Sequence, residues 1–203
     1  RPDPARPGWK HFMLQPFADR RLGHLEASYD SPAGRITSAW KYDADGKLVG
    51  QCEKWKKWRS RFAVKGIRPW SAEKPYLYTL VARIDDDVRV LKVGFCKIEI
   101  DAKKRLLVNG SPVKIKGVNR HEASPENGRT VSRAEMIRDI ELMKRNNVNA
   151  VRTSHYPDHP FWYDLCDRYG IYVVAEANVE GHEPSYGEKG LGRFMEWNHS
   201  IVE

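Results

Sequence analysis

The chain has 203 residues, 40% hydrophobic and 31% charged, with a formal net charge of +8, a composition that can bury one or two cores and excludes disordered and fibrous classes. It contains no run of about 18 apolar residues, and Arg1 to Gly8 are polar and proline-rich, so neither a membrane span nor a secretory signal is expected and the segment reads as soluble. Cys52, Cys96 and Cys166 are widely spaced and form no CxxC pair, which argues against a disulfide framework or zinc cluster and for reduced thiols.

The charge is unevenly spread. Residues 1–118 hold 25 Lys+Arg against 13 Asp+Glu, whereas residues 119–203 hold 10 against 14, a shift that marks two regions of different chemistry. The first region reads as short β-strands separated by turns. Apolar and β-branched runs occur at Phe62 to Val64, Tyr76 to Ile84 and Val88 to Phe95. Asp43 to Gly46 reads as a turn and Asp85 to Asp87 as a hairpin tip. Asn109-Gly110, between Leu106 to Val108 and Val113 to Ile115, is a strong hairpin signal. Short strands of this kind suggest a β-sandwich. The run Lys54-Trp55-Lys56-Lys57-Trp58-Arg59 mixes cations with aromatics and could stack on single-stranded nucleic acid. A strand with one solvated face and one packed face explains it better, so no nucleic-acid partner is expected.

After residue 118 helical patterns alternate with short apolar strands, the rhythm of βα units on a parallel sheet. A first strand is expected at Val113–Val118. The helix after it, at about 133–147, opens with Ser132 and Glu135 in capping-box spacing and carries a buried stripe of Met136, Ile137, Ile140 and Met143. A second strand is expected at Ala150–Thr153. Its helix should start at Pro157 and Asp158 and stop at Gly170. The third strand is Ile171–Val174, and a last helix begins near Phe194. Three parallel strands cannot close a barrel, so the segment is expected to be truncated.

A histidine follows the C-terminal end of each predicted strand: His121, His155 and His182. In a (β/α) barrel those ends form the active face, so three histidines there would converge on one pocket. Glu180 and His182 stand two apart, which on extended backbone points both side chains the same way. That pair suits a divalent metal only with a further carboxylate, and an ordinary polar loop is the alternative. Arg152 could project a fixed positive charge into the pocket or form a structural ion pair with a neighbouring acid. Glu122, Glu126, Glu176 and Glu183 offer carboxylates nearby, and spacing assigns none of them as acid or base.

Asn149 to Pro157, continued through Trp162-Tyr163, Asp167 and Gly170 to Val174, resembles the signature of glycoside hydrolase family 2. Gly117 to Glu122 and Glu176 to His182 are similar to the branch of that family that cleaves β-galactosides, while Pro69 to Leu80 and Val93 to Phe95 are similar to the end of its immunoglobulin-like domain. The resemblance implies an immunoglobulin-like β-sandwich, complete or not, over residues 1–100, followed over residues 101–203 by the first three βα units of a TIM (β/α)8 barrel. It implies a retaining β-galactosidase with Glu180 and His182 on an active-site Mg2+, Na+ as a second cation of the complete enzyme, and His121, His155 and Arg152 at the substrate. It also implies a cytoplasmic homo-oligomer with a β-galactoside as partner and no membrane. Its acid/base and nucleophile glutamates, about 5–5.5 Å apart in a retaining enzyme, are expected beyond Glu203, so the chain alone is expected to be inactive. A β-glucuronidase or β-mannosidase of the same family and a non-catalytic carbohydrate-binding piece are the alternatives.

Overall fold

The structure, a computed structural model, describes residues 13–19, 22–28, 36–52, 59–84 and 87–177. Contacts divide the chain into two units, Arg1–Lys114 and Ile115–Glu203.

The first unit is all β. Strands β1 (Met13–Asp19), β2 (Leu22–Ser28) and β5 (Arg59–Lys65) form one antiparallel sheet in the order β1-β2-β5. Strands β3 (Ile36–Tyr42), β4 (Leu48–Cys52), β6 (Tyr78–Ile84) and β7 (Asp87–Val93) form a second in the order β4-β3-β6-β7. Val64 from the first sheet and Tyr78, Leu80 and Val93 from the second share a core with Ile67 and Phe95, so the two sheets bury their apolar faces against each other. The turn expected at Asp43 to Gly46 is present: Asp43 Oδ1 accepts from the backbone N–H groups of Asp45 at 3.1 Å and Lys47 at 2.8 Å. The pairing of Ile84 with Asp87 makes β6 and β7 a hairpin, whose tip residues 85–86 lie outside the described set. So do residues 53–58, and with them most of the Lys/Trp run.

A small third sheet in the same unit joins β8 (Ile98–Ile100), β9 (Leu106–Val108) and β10 (Ser111–Pro112). Asn109 and Gly110 make its turn with φ of 53° and 80°, the left-handed pair that a two-residue hairpin demands. By its contacts this sheet belongs to the first unit. It also displaces the expected Val113–Val118 strand. Val113 N–H still bonds Leu106 at the end of the hairpin, and the chain enters the next sheet only where Lys116 meets Asn149, so the strand there is β11 (Gly117–Arg120).

In the second unit β11, β12 (Ala150–Thr153) and β13 (Tyr172–Val174) are parallel neighbours in that order. Helix α1 (Arg133–Arg145) connects β11 to β12, and α2 (Pro160–Tyr169) connects β12 to β13. The Ser132/Glu135 capping box is formed at the start of α1, and Gly170 ends α2 at φ 73°. The start of α2 differs from expectation. His159 caps it, its ring accepting from Phe161 N–H at 3.1 Å, and Pro160 takes the first helical position, where its missing N–H and fixed φ do no harm. Asp158 is drawn away into an ion pair. Met136, Ile140, Trp162, Leu165 and Cys166 from the helices pack on Val151 and Ile171, with Ile137, Met143 and Val173 partly buried around them. Cys166 is a free thiol, and burial pushes it up to about 12. No described helix is long and apolar enough to cross a membrane. The helix expected near Phe194 lies outside the described residues.

Candidate active site

Parallel register decides which side chains share a face. Asn119 pairs with Arg152 and Arg152 with Val174, while Val118 pairs with Val151 and Val151 with Val173. Val151 and Val173 pack into the helix core, so with a period of two Arg152 stands on the opposite face of the sheet and Arg120 on the helix face.

Arg120, which sequence reasoning left unassigned, is 5% exposed. Its Nη1 donates to Asp158 Oδ2 at 2.8 Å and its Nε to Asp139 Oδ2 at 3.2 Å, and its guanidinium lies 4.0 Å above the Trp162 ring. The end of β11 is thereby tied to α1, to α2 and to the loop after β12. Glu122, expected near the pocket, is occupied in the same way: both its oxygens accept from His159 N–H at 3.1 Å, at the cap of α2. Glu126 accepts from Ser124 Oγ at 3.3 Å.

His121 and His155, from the ends of adjacent strands, come together with ring centroids 5.5 Å apart at 79°. Arg152 and Glu176 complete the cluster. The Arg152 Nε donates to Glu176 Oε1, Arg152 Nη2 lies 3.3 Å from His155 Nδ1, and Glu176 Oε2 lies 2.8 Å from that same nitrogen. Glu176 N–H donates to Thr153 Oγ1 at 3.0 Å, which pins the segment after β13 to the fully buried end of β12. Desolvation pushes the Glu176 carboxyl up, but the hydrogen bonds from His155 and Arg152 and their charges outweigh it and hold the acid below the usual carboxylate range. Of the two readings of Arg152, the ion pair with a neighbouring acid is therefore present, and it forms at the strand ends beside His155. Glu176 was one candidate carboxylate among four in the sequence, and its spacing from His155 carried no sign of their contact.

Glu180, His182 and Glu183 lie outside the described residues. Among the described residues no group of three or more His, Cys, Asp or Glu side chains could hold a metal ion. The described site thus offers two imidazoles, one guanidinium and one ionised carboxylate, a set that hydrogen-bonds hydroxyl groups in both directions.

Residues 98–197 match the family described as glycosyl hydrolases family 2, TIM barrel domain, and residues 2–53 match the bacterial alpha-L-rhamnosidase C-terminal domain. A β-galactosidase of Vibrio cholerae serotype O1 is 54% identical over 196 residues, spanning 84% of this chain and 19% of that protein. A β-galactosidase of Pseudoalteromonas haloplanktis is 53% identical over 126 residues, 59% of this chain and 12% of that protein. Among solved structures, a β-glucuronidase from an uncultured Clostridium sp. superposes with a TM-score of 0.81 at 25% identity, covering 92% of this chain and 33% of that one. The chain spans less than a fifth of the length of these curated relatives. By the barrel match and by identities of this size, the chain belongs to the glycosyl hydrolases of family 2.

Proposed function

We propose that this chain is part of a retaining β-galactosidase that hydrolyses terminal β-D-galactosyl residues. The observation that carries the reading is the meeting of His121, His155 and Arg152 at the C-terminal ends of adjacent parallel strands, in a chain 41% to 54% identical to proteins named β-galactosidase. In this reading residues 1–100 supply an immunoglobulin-like sandwich and residues 101–203 open the barrel, a division supported by the barrel-domain match over residues 98–197. The two imidazoles hydrogen-bond sugar hydroxyls, and Arg152 contributes fixed positive charge where negative charge must be kept oriented. The general acid and the nucleophile are glutamates of later barrel strands, so the 203-residue chain alone hydrolyses no galactoside at a useful rate.

Glu180 and His182 are the proposed ligands of Mg2+. They supply one carboxylate oxygen and one imidazole nitrogen, and an ion that favours octahedral oxygen ligation needs further carboxylate or water beside them. When bound, the ion supplies positive charge next to the reacting sugar.

A second reading is β-glucuronidase, the enzyme whose solved structures resemble this chain at 25% and 28% identity. The higher identity to galactosidases favours the first. The test compares chromogenic β-galactoside and β-glucuronide turnover by the complete polypeptide that carries this chain. Faster galactoside turnover is expected, and faster glucuronide turnover refutes the proposal. Chelation with EDTA should lower galactosidase activity, with Mg2+ restoring it. E180Q should weaken that restoration.

A further inference from the structure

We propose that Glu176 is a positioning residue of the sugar pocket: it fixes His155 in the tautomer protonated at Nδ1 and holds Arg152 beside the same ring. The inference rests on the reading of this site as a glycosidase pocket and adds a residue whose role its spacing did not reveal.

Two groups compete for His155 Nδ1. Glu176 Oε2 lies 2.8 Å away and Arg152 Nη2 lies 3.3 Å away. A guanidinium nitrogen only donates, so a bond from Arg152 would require a lone pair on Nδ1. An ionised carboxylate only accepts, so a bond to Glu176 requires a proton there. One nitrogen cannot satisfy both. The carboxylate contact is the shorter and is charge-assisted. Arg152 already has its own bond to the same carboxylate through Nε. Glu176 therefore serves the two neighbours with different oxygens, Oε1 for the guanidinium and Oε2 for the imidazole.

In a neutral ring, a proton on Nδ1 leaves the lone pair on Nε2, so that nitrogen can accept a hydrogen bond but not donate one. Glu176 can impose this because it is itself fixed. Its N–H is bonded to Thr153 Oγ1 at 3.0 Å, and Thr153 is fully buried between Arg152 and His155 in the chain. The carboxylate, the guanidinium and the imidazole thus share one anchoring point, which is what holding a binding constellation in productive geometry requires.

The test has two arms. In the complete enzyme, E176A should lower galactoside kcat about 10- to 100-fold when His155 is present, with KM changing less than about threefold. In an H155A background the same substitution should cost less than about threefold, because most of its effect passes through that ring. E176Q, whose amide oxygen still accepts the Nδ1 proton, should retain several times the activity of E176A. Equal losses in both backgrounds overturn the inference, since a purely structural role would be additive. In the second arm, 15N-histidine NMR of the complete enzyme reads the tautomer directly, the His155 signals being assigned by their loss in H155Q. The expected wild-type ring is protonated at Nδ1 and shifts towards the Nε2-protonated form in E176A. A wild-type neutral ring protonated at Nε2 overturns the inference whatever sugar the enzyme cleaves. Absent galactoside turnover with the Nδ1 tautomer intact removes the functional reading and leaves the positioning role standing.

Discussion

Replacing Arg120 by alanine removes the cation that ties the end of β11 to both helices. Its Nη1 bonds Asp158 at 2.8 Å, and the two side chains are 5% and 0% exposed. Deleting one partner of a buried pair leaves the other charge uncompensated and costs about 3–5 kcal/mol. The lost stack on Trp162, 4.0 Å below the guanidinium, is worth about 0.5–2 kcal/mol. The Asp139 contact adds little, because that carboxylate is 39% exposed and screened by solvent. These terms overlap, so the expected loss at neutral pH is about 3–5 kcal/mol. The pH dependence follows from Asp158. Burial pushes its carboxyl above the ordinary range while the Arg120 charge works against that. Without Arg120 the main opposition to burial is gone and only the weaker influence of His121 remains, so the folded variant holds its proton to higher pH than the unfolded chain. A group raised in the folded state gives stability that is full below the unfolded value and lost as pH rises through the folded one. The deficit of R120A against wild type should therefore be smallest near the ordinary carboxylate pKa of about 4 and grow towards pH 7. Urea unfolding followed by near-ultraviolet circular dichroism measures it at both ends, with R120A/D158A as the control that removes the stranded acid and regains part of the loss. A deficit below about 1 kcal/mol at pH 7, one larger in acid, or a double variant no more stable than R120A would refute the argument.

Three further outcomes are expected. S132A removes the side-chain half of the α1 capping box and should cost about 1 kcal/mol in the same assay; hydrogen bonds from Ser124 and Ser132 hold Glu135 at about 2, so the wild-type cap should persist well below pH 4.5 and fail only as pH falls towards 2, as amide exchange in the first turn would show. Lys41 is fully buried with its Nζ 3.5 Å from the Phe95 ring centroid, and burial lowers it to about 7. Its neutral form is the one folding favours, so stability tied to it is present above the ordinary 10.5 and lost as pH falls towards 7; K41M should gain on wild type by at least about 2 kcal/mol more at pH 6 than at pH 10.5, and a pH-independent difference in melting would contradict this. G170A places a Cβ at φ 73° and should lower stability by about 1 kcal/mol, whereas a neutral effect would mean that the α2 terminus readjusts without strain.

Much of the second unit was legible because its signals are local. The Ser132/Glu135 box, the Ala150–Thr153 strand and the Gly170 stop each depend on residues a few positions apart, and each stands where the sequence places it. The expected helix start at Pro157 and Asp158 failed for a non-local reason: Asp158 is held by Arg120, 38 residues away in the chain. The expected strand from Val113 failed because the Asn109-Gly110 hairpin keeps Val113 bonded to Leu106 before the chain turns to Asn149.

The amino-acid sequence by itself determined the alternation of strands and helices after residue 118 and the placing of His121 and His155 just past strand ends, because hydrophobic period, caps and turns act over a few residues. Only the tertiary structure decided that Arg120 is buried against Asp158 and Trp162 while Arg152, also at a strand end, meets His155 and Glu176 on the other face. Side chains alternate with a period of two, and the register of β11 against β12, Asn119 beside Arg152 and Arg120 beside Thr153, sets the two arginines on opposite faces, where a slip of one residue in that pairing would bring both to the same face.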